Sequence, residues 1–114
     1  MTNSINLSGL LPHLRDQAQF AALRRDLDGP HDGELHVPLL RAARAPIVAA
    51  LIPLLDRPVM LIAAKPDRAQ ALYDSLRAFG LPADRLFRFP EPSALFYERA
   101  PWPREVAAER LNVL

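Results

Sequence analysis

One apolar run, which is bounded on both sides by charged residues and proline, constrains the fold more than any other feature. Residues 58–64 read Pro-Val-Met-Leu-Ile-Ala-Ala, with Asp56 and Arg57 before them and Lys65 and Pro66 after them. A continuous apolar run of this length is typical of a strand that is buried on both faces, as in a parallel sheet. The sequence therefore predicts a buried strand over residues 58–64.

The clearest helical pattern of the chain follows this run. It predicts a helix from Pro66 to Phe79, because proline is tolerated in the first turn and Gly80 supplies a natural end. Its apolar face is formed by Ala69, Leu72, Leu76 and Phe79. The run and the helix together indicate a strand followed by a helix.

Two further segments resemble strands. Residues 34–40 form a short candidate, which Pro38 weakens or places at a sheet edge, and residues 84–90, Asp-Arg-Leu-Phe-Arg-Phe-Pro, form another. Strands that alternate with helices predict βαβ units. We therefore expect an α/β fold with a small, open, mostly parallel sheet flanked by helices, in the manner of a P-loop NTPase.

A second helix is predicted between the first two strand candidates, over residues 43–56. It is apolar nearly all round, which favours burial. Pro46 falls near its first turn, and Pro53 predicts a kink or an early end.

The first part of the chain carries two short helical patterns. Their apolar positions are Leu7, Leu10, Leu11 and Leu14 in the first, and Phe20, Leu23 and Leu27 in the second. Residues 28–33 read Asp-Gly-Pro-His-Asp-Gly, which is turn chemistry. This turn divides the predicted chain into an N-terminal helical arm, residues 1–33, and an α/β lobe, residues 34–114.

Composition restricts the classes of function. The chain has 114 residues, no cysteine, 14 Lys and Arg and 13 Asp and Glu. The lack of cysteine excludes disulfides, thiolate metal sites and cysteine nucleophiles, and the balanced charge argues against strong nucleic-acid binding. No signal peptide is recognisable, and the most apolar run, residues 46–55, is far shorter than the roughly 20 residues of a membrane span. We expect a cytoplasmic protein with no membrane partner.

The loop that would bind a nucleotide is missing from the first predicted strand-to-helix turn. A P-loop needs glycines whose backbone N–H groups wrap the phosphates, followed by Lys and Ser or Thr. Residues 39–48 read Leu-Leu-Arg-Ala-Ala-Arg-Ala-Pro-Ile-Val and contain none of these types. Arg41 and Arg44 stand where an anion could bind, although solvated surface arginines explain them better. The phosphate loop is degenerate, and we predict no ATP binding.

Other chemistry-bearing side chains form no recognisable site. The three histidines lie in a predicted helix, a turn and a strand, without the spacing of metal ligands. Asp28 and Asp32 lack the pattern of a calcium loop, and Glu91 and Glu98 lie in a proline-rich segment with no predicted cleft. Ser93 lacks a neighbouring base and the glycines of a nucleophile elbow. No catalytic, cofactor-binding or metal-binding residue is predicted.

The tail, residues 87–114, carries a family resemblance. A strand-like segment ends in Phe-Pro, an acidic and aromatic stretch and a proline-containing loop follow, and a helix carries Arg-Leu-x-x-Leu. The matching residues are Phe89, Pro90, Glu91, Leu95, Tyr97, Glu98, Pro101, Glu105, Arg110, Leu111 and Leu114. Residues 41–58 and 57–80 also fit the pattern of the same family. Over residues 7–114 the chain therefore resembles the N-terminal domain of bacterial transcription-repair coupling factors, the Mfd family.

The resemblance implies a degenerate RecA-like lobe of the UvrB-homology module. The excision nuclease component UvrB shares that architecture but keeps a working phosphate loop, which this sequence lacks. The implied function is a non-catalytic domain in transcription-coupled nucleotide excision repair, within the module that recruits the excision nuclease. In the family the parent protein is an ATP-dependent DNA translocase of the helicase type. The resemblance therefore implies that the parent chain binds ATP, magnesium, DNA, RNA polymerase and the excision nuclease component UvrA.

The tail also supplies the candidate contact residues, Phe96, Tyr97, Arg99 and Trp102. We interpret them as packing against another domain or a partner. A base-stacking platform is the weaker interpretation, because such platforms carry surplus positive charge and the tail's arginines are balanced by glutamates.

An alternative function is a stand-alone flavodoxin-like domain that binds a small ligand at the strand ends. Lys65, Asp67 and Glu91 are the polar residues available to it.

Overall fold

A computed structural model describes residues 5–30, 33–91 and 101–114 and shows helices joined by irregular segments. The helices are α1 (Leu11–Arg15), α2 (Ala18–Asp28), α3 (Arg41–Leu51), α4 (Pro66–Ala78) and α5 (Arg104–Val113). Single 3-10 turns lie at Ser8–Leu10, Ile52–Leu54 and Ala83–Arg85. The described part of the chain contains no strand.

The prediction of an α/β fold with a parallel sheet is therefore wrong, and the P-loop-NTPase-like architecture is wrong with it. Residues 34–40, 58–64 and 86–90 have irregular backbone, and no backbone hydrogen bond joins any of them to another. The side chains of Met60 and Ile62 are 84% and 89% exposed, where a buried strand would have covered them.

The sheet prediction fails because a strand needs a neighbour, and side-chain patterning does not reveal one. Pro38 removes a backbone donor from the first candidate. The last candidate begins in the 3-10 turn Ala83–Arg85, so its first residues are not extended. With both possible neighbours impaired, residues 58–64 pair with no other described segment, despite their apolar run.

The prediction for α4 is confirmed to within one residue at its end. Pro66 opens the helix, and Gly80, with φ +95°, lies just beyond it. The Leu81 N–H donates to the Leu76 carbonyl at 3.1 Å, and the Gly80 N–H donates to the Arg77 carbonyl at 3.0 Å. This pair of bonds is a Schellman motif, which satisfies carbonyls that the end of a helix leaves without partners.

The early end predicted at Pro53 is also confirmed. Helix α3 ends at Leu51, and Pro53 lies in the 3-10 turn that follows. Its last turn contains Ala49 and Ala50, which are fully buried and small enough to let other helices approach closely. Helices α1 and α4 both pack against α3.

One apolar cluster forms the core, and its buried members lie between residues 11 and 81. The buried side chains are Leu11, Phe20, Ala49, Ala50, Leu51, Leu76 and Leu81. The Leu7 N–H also donates to the Ala78 carbonyl at 2.7 Å, which ties the N-terminal helices to α4. The division of the chain at residue 33 stays a prediction.

Much apolar surface stays outside this core. The exposed side chains include Leu35, Val37, Leu40, Val59, Met60, Leu61, Ile62, Phe87, Phe89 and Trp102. The radius of gyration is 16.6 Å, whereas a compact domain of similar length has about 13 Å. The described helices are thus too few to enclose the apolar residues that the irregular segments carry.

Candidate interaction surface

An arginine holds the tail helix against the segment before it. The guanidinium carbon of Arg110 lies 3.9 Å from the ring centroid of Phe89 and 4.9 Å from that of Trp102. Its Nη1 donates a hydrogen bond to the Pro90 carbonyl at 2.9 Å. We call Phe89, Pro90, Trp102 and Arg110 the Arg110 cluster.

Local sequence explains why the cluster forms at this point. Pro101 and Pro103 flank Trp102, and Pro103 precedes the first residue of α5, so the chain enters the helix from a restricted conformation. Arg110 lies in the last turn of α5, where a cation interacts favourably with the helix dipole. The guanidinium plane then stacks on the aromatic faces, which contributes about 0.5–2 kcal/mol per favourable contact.

The cluster is a surface feature rather than part of the core. Phe89 and Trp102 are 54% and 47% exposed, so a large part of each ring remains available for contact with another molecule. Aromatic side chains and arginine are the residue types enriched at the centres of protein interfaces. The arrangement is therefore suited to binding a second protein surface.

The structure describes one of the four predicted contact residues. Trp102 belongs to the Arg110 cluster. Phe96, Tyr97 and Arg99 lie outside the described residues. Sequence reasoning missed the role of Arg110, which it had only matched to a family pattern.

The predicted anion candidates lie at the start of α3. Arg41 and Arg44 are exposed in its first turn. No ion pair between described residues involves either arginine. The lack of nucleotide binding stays a prediction.

The polar residues of the small-ligand alternative are not brought together. Lys65, Asp67 and Glu91 are all exposed, and no hydrogen bond or ion pair between described residues links them. Within residues 5–30, 33–91 and 101–114, no group of three or more His, Cys, Asp or Glu residues could hold a metal ion.

A groove that was not predicted lies over α2 and the turn after α3. Its volume is about 650 Å³. Its lining includes Arg15, Phe20, Arg24, Arg25, Asp28 and Leu54. The Arg15 Nε–H donates to the Ala50 carbonyl at 3.3 Å, and Arg24 Nε lies 3.7 Å from Asp28 Oδ2.

No helix in the part of the chain that the structure describes is both long enough and apolar enough to span a bilayer. Comparison with known proteins found no matching family model, no matching curated protein and no matching solved structure.

Proposed function

We propose that this chain is a non-catalytic contact domain of a transcription-repair coupling factor, within the module that recruits the excision nuclease. The observation that carries the proposal is the Arg110 cluster. Phe89, Pro90 and Arg110 are three residues of the tail pattern on which the family resemblance rests, and they contact one another directly. Residues matched in sequence thus form one physical unit.

The exposed apolar segments support a role through contacts. Val59, Met60, Leu61 and Ile62 present consecutive apolar side chains to solvent. Apolar surface on this scale marks protein interaction sites in soluble proteins. A domain that packs against other domains of a parent chain would cover it.

The absence of a phosphate loop supports the non-catalytic part of the proposal. The first turn of α3 reads Arg-Ala-Ala-Arg from Arg41, and it offers neither glycine nor lysine to a nucleotide. In this proposal ATP, magnesium and DNA bind to the motor of the parent protein. RNA polymerase and the excision nuclease component UvrA are reached through that same parent chain.

The proposal rests on the residues of the tail and not on a sheet. The resemblance also implied a RecA-like architecture, and the described residues contain no strand. The flavodoxin-like alternative needed a parallel sheet to form its binding site, so it is set aside.

The test is strand-specific repair in cells that carry the gene for this chain. An Arg110→Ala change in the chromosomal gene removes the stacking cation, and an Arg104→Ala change on the exposed start of the same helix is the matched control. We expect Arg110→Ala to slow removal of ultraviolet photoproducts from transcribed strands. Repair of untranscribed strands should stay unchanged.

Gene disruption completes this test. If a disrupted strain repairs transcribed strands as fast as its parent, the chain does not act in coupled repair. Calorimetry with magnesium ATP is an independent check on the non-catalytic part of the proposal. We expect no heat of binding, whereas micromolar affinity would reject that part and make Arg41, Arg44 and Lys65 the next residues to substitute.

A further inference from the structure

A groove with an apolar floor and an excess of positive charge runs along α2. It is the open cavity of about 650 Å³ described above, and we call it the α2 groove. Helix α2 contributes most of the residues that line it. Arg15 at the end of α1 and Leu54 in the turn after α3 complete the lining.

Helix geometry places the α2 residues of this groove on one face. Phe20, Arg24 and Asp28 form one row with a spacing of four residues, and Ala21 and Arg25 form the neighbouring row. Side chains four residues apart lie above one another on a helix, so the two rows make a continuous strip. The strip therefore presents two arginines in adjacent rows.

The floor of the α2 groove belongs to the apolar core. Phe20 is buried, and Leu54 is half-buried and packs against the buried cluster. Ala21 is exposed and leaves space above this floor, because its side chain is a single methyl group. An occupant gains free energy here by burying an apolar side chain of its own.

Contacts within the chain locate two of the three arginines. The Arg15 Nε–H donates to the Ala50 carbonyl at 3.3 Å, so the Arg15 guanidinium lies at the last turn of α3. Arg24 Nε lies 3.7 Å from Asp28 Oδ2, and both side chains are about half exposed. An exposed pair of this kind is weak, but it places the aspartate of the groove beside Arg24.

The other two arginines of the lining have no anionic partner in the described part of the chain. Neither Arg15 nor Arg25 forms an ion pair with another described residue. The described lining holds three arginines against one aspartate, a net charge of +2. Arg57 adds a cation at the end of α2, where its Nη2 donates to the Leu27 carbonyl at 2.7 Å. The whole chain has a net charge of +1, so this excess is local.

We propose that the α2 groove binds an acidic segment of a partner protein, in which an apolar side chain stands between carboxylates. The apolar side chain lies on Phe20 and Leu54, and the carboxylates accept hydrogen bonds from Arg15 and Arg25. Arginine suits this role because its planar fork of donors matches a carboxylate. The apolar floor favours such a segment over a nucleic acid, whose backbone binds through charge.

This inference goes beyond the proposed function and does not depend on it. No residue of the Arg110 cluster lines the α2 groove. A failure of the experiments below therefore leaves the proposed function standing, and a failure of the repair experiment leaves this inference standing.

The first experiment is calorimetry of the full chain with a short peptide that is capped at both ends. Its sequence is Glu-Glu-Leu-Phe-Glu-Glu. The analogue Gln-Gln-Leu-Phe-Gln-Gln lacks the carboxylates, and the analogue Glu-Glu-Ser-Ser-Glu-Glu lacks the apolar side chains. We expect the first peptide to bind and each analogue to bind at least about tenfold more weakly, since each lacks one of the two kinds of contact.

Three results would overturn the proposal. The first is no binding of the acidic, apolar peptide, and the second is an equal affinity for either analogue. The third is tighter binding of a single-stranded DNA hexamer than of the peptide, because the groove would then recognise phosphates.

Matched variants test whether the α2 groove is the binding site. Arg25→Gln removes a charge and should weaken peptide binding about tenfold, and its control, Arg68→Gln, lies on an exposed position of α4. Ala21→Glu places a carboxylate above the floor and should weaken binding at least as much, since like charges repel. Its control, Ala18→Glu, makes the same change on α2 outside the described lining. Circular dichroism verifies folding, and unchanged affinity in both folded groove variants would overturn the assignment.

Discussion

At Gly80 the backbone adopts a conformation that other residues rarely take. Its φ is +95°, and a Cβ built there would meet the Cβ of Ser8 at 3.0 Å. Gly80→Ala therefore strains the backbone at the end of α4 and also pushes against the N-terminal segment. We expect the free energy of unfolding to fall by about 1–3 kcal/mol, measured by urea denaturation followed with circular dichroism.

Gly9 provides the control for this substitution. A Cβ added at Gly9 meets nothing within 4 Å, and its φ is not in the left-handed region. Gly9→Ala should change stability by less than about 0.5 kcal/mol or raise it slightly. Equal effects of the two substitutions would show that the Schellman motif does not restrain the end of α4.

Single residues also show what sequence reasoning could reach in the candidate site. Trp102 was named as a contact residue because it lies in the aromatic and proline-rich segment of the tail, which was interpreted as packing against another domain. Its partner Arg110 was not, because the stacking depends on how α5 packs against the segment that ends in Pro90.

At the scale of elements, the Arg110 cluster should decide whether α5 stays docked. Arg110→Ala removes two stacking contacts and one hydrogen bond, so the docked helix should lose about 1–2 kcal/mol. Trp102 is the one tryptophan of the chain and reports on the change. We expect its fluorescence to shift to longer wavelength and its quenching by acrylamide to rise.

Arg104→Ala is the control for this measurement, because Arg104 lies in the exposed first turn of the same helix. It should leave the emission of Trp102 unchanged. If Arg110→Ala leaves the emission unchanged as well, the stacking of Arg110 does not position the indole.

The helices were predictable and the strands were not, because a helix depends on residues close in sequence whereas a strand needs a partner that is distant in sequence. The ends of α4 depend on Pro66 and Gly80, which act within a few residues, and Pro53 ends α3 in the same local way. A strand depends on a partner elsewhere in the chain. Residues 58–64 satisfied the pattern of a buried strand, but no partner strand lies among the residues that the structure describes.

Hydrogen exchange measures this difference between elements directly. The described structure gives the backbone N–H groups of residues 59–62 no acceptor, whereas those near Leu76 lie within α4. We expect residues 59–62 to exchange at nearly the rate of an unfolded chain, and the amides around Leu76 to exchange far more slowly. Comparable protection in the two regions would mean that residues 59–62 have backbone partners.

On the scale of the whole molecule, the main physical property is that the described residues form an incompletely closed core. The buried cluster consists of alanines, leucines and Phe20, and most apolar residues of residues 34–40, 58–64 and 86–90 are exposed outside it. The radius of gyration of 16.6 Å agrees with this arrangement. A chain with so much exposed apolar surface tends to bind other surfaces, including those of its own copies.

The double substitution Met60→Lys and Ile62→Lys tests that property. Because both side chains are more than four-fifths exposed, with fractions of 84% and 89%, the charges should be tolerated at a cost below about 0.5 kcal/mol each. Light scattering after size exclusion should show less self-association than in the unchanged chain, since the lysines repel one another and remove apolar surface.

The matched control, Arg68→Lys, lies on an exposed position of α4 and should change neither mass nor stability. Loss of cooperative unfolding in the double variant would contradict the exposed arrangement, because two lysines disrupt a fold to that extent only where the side chains they replace are buried.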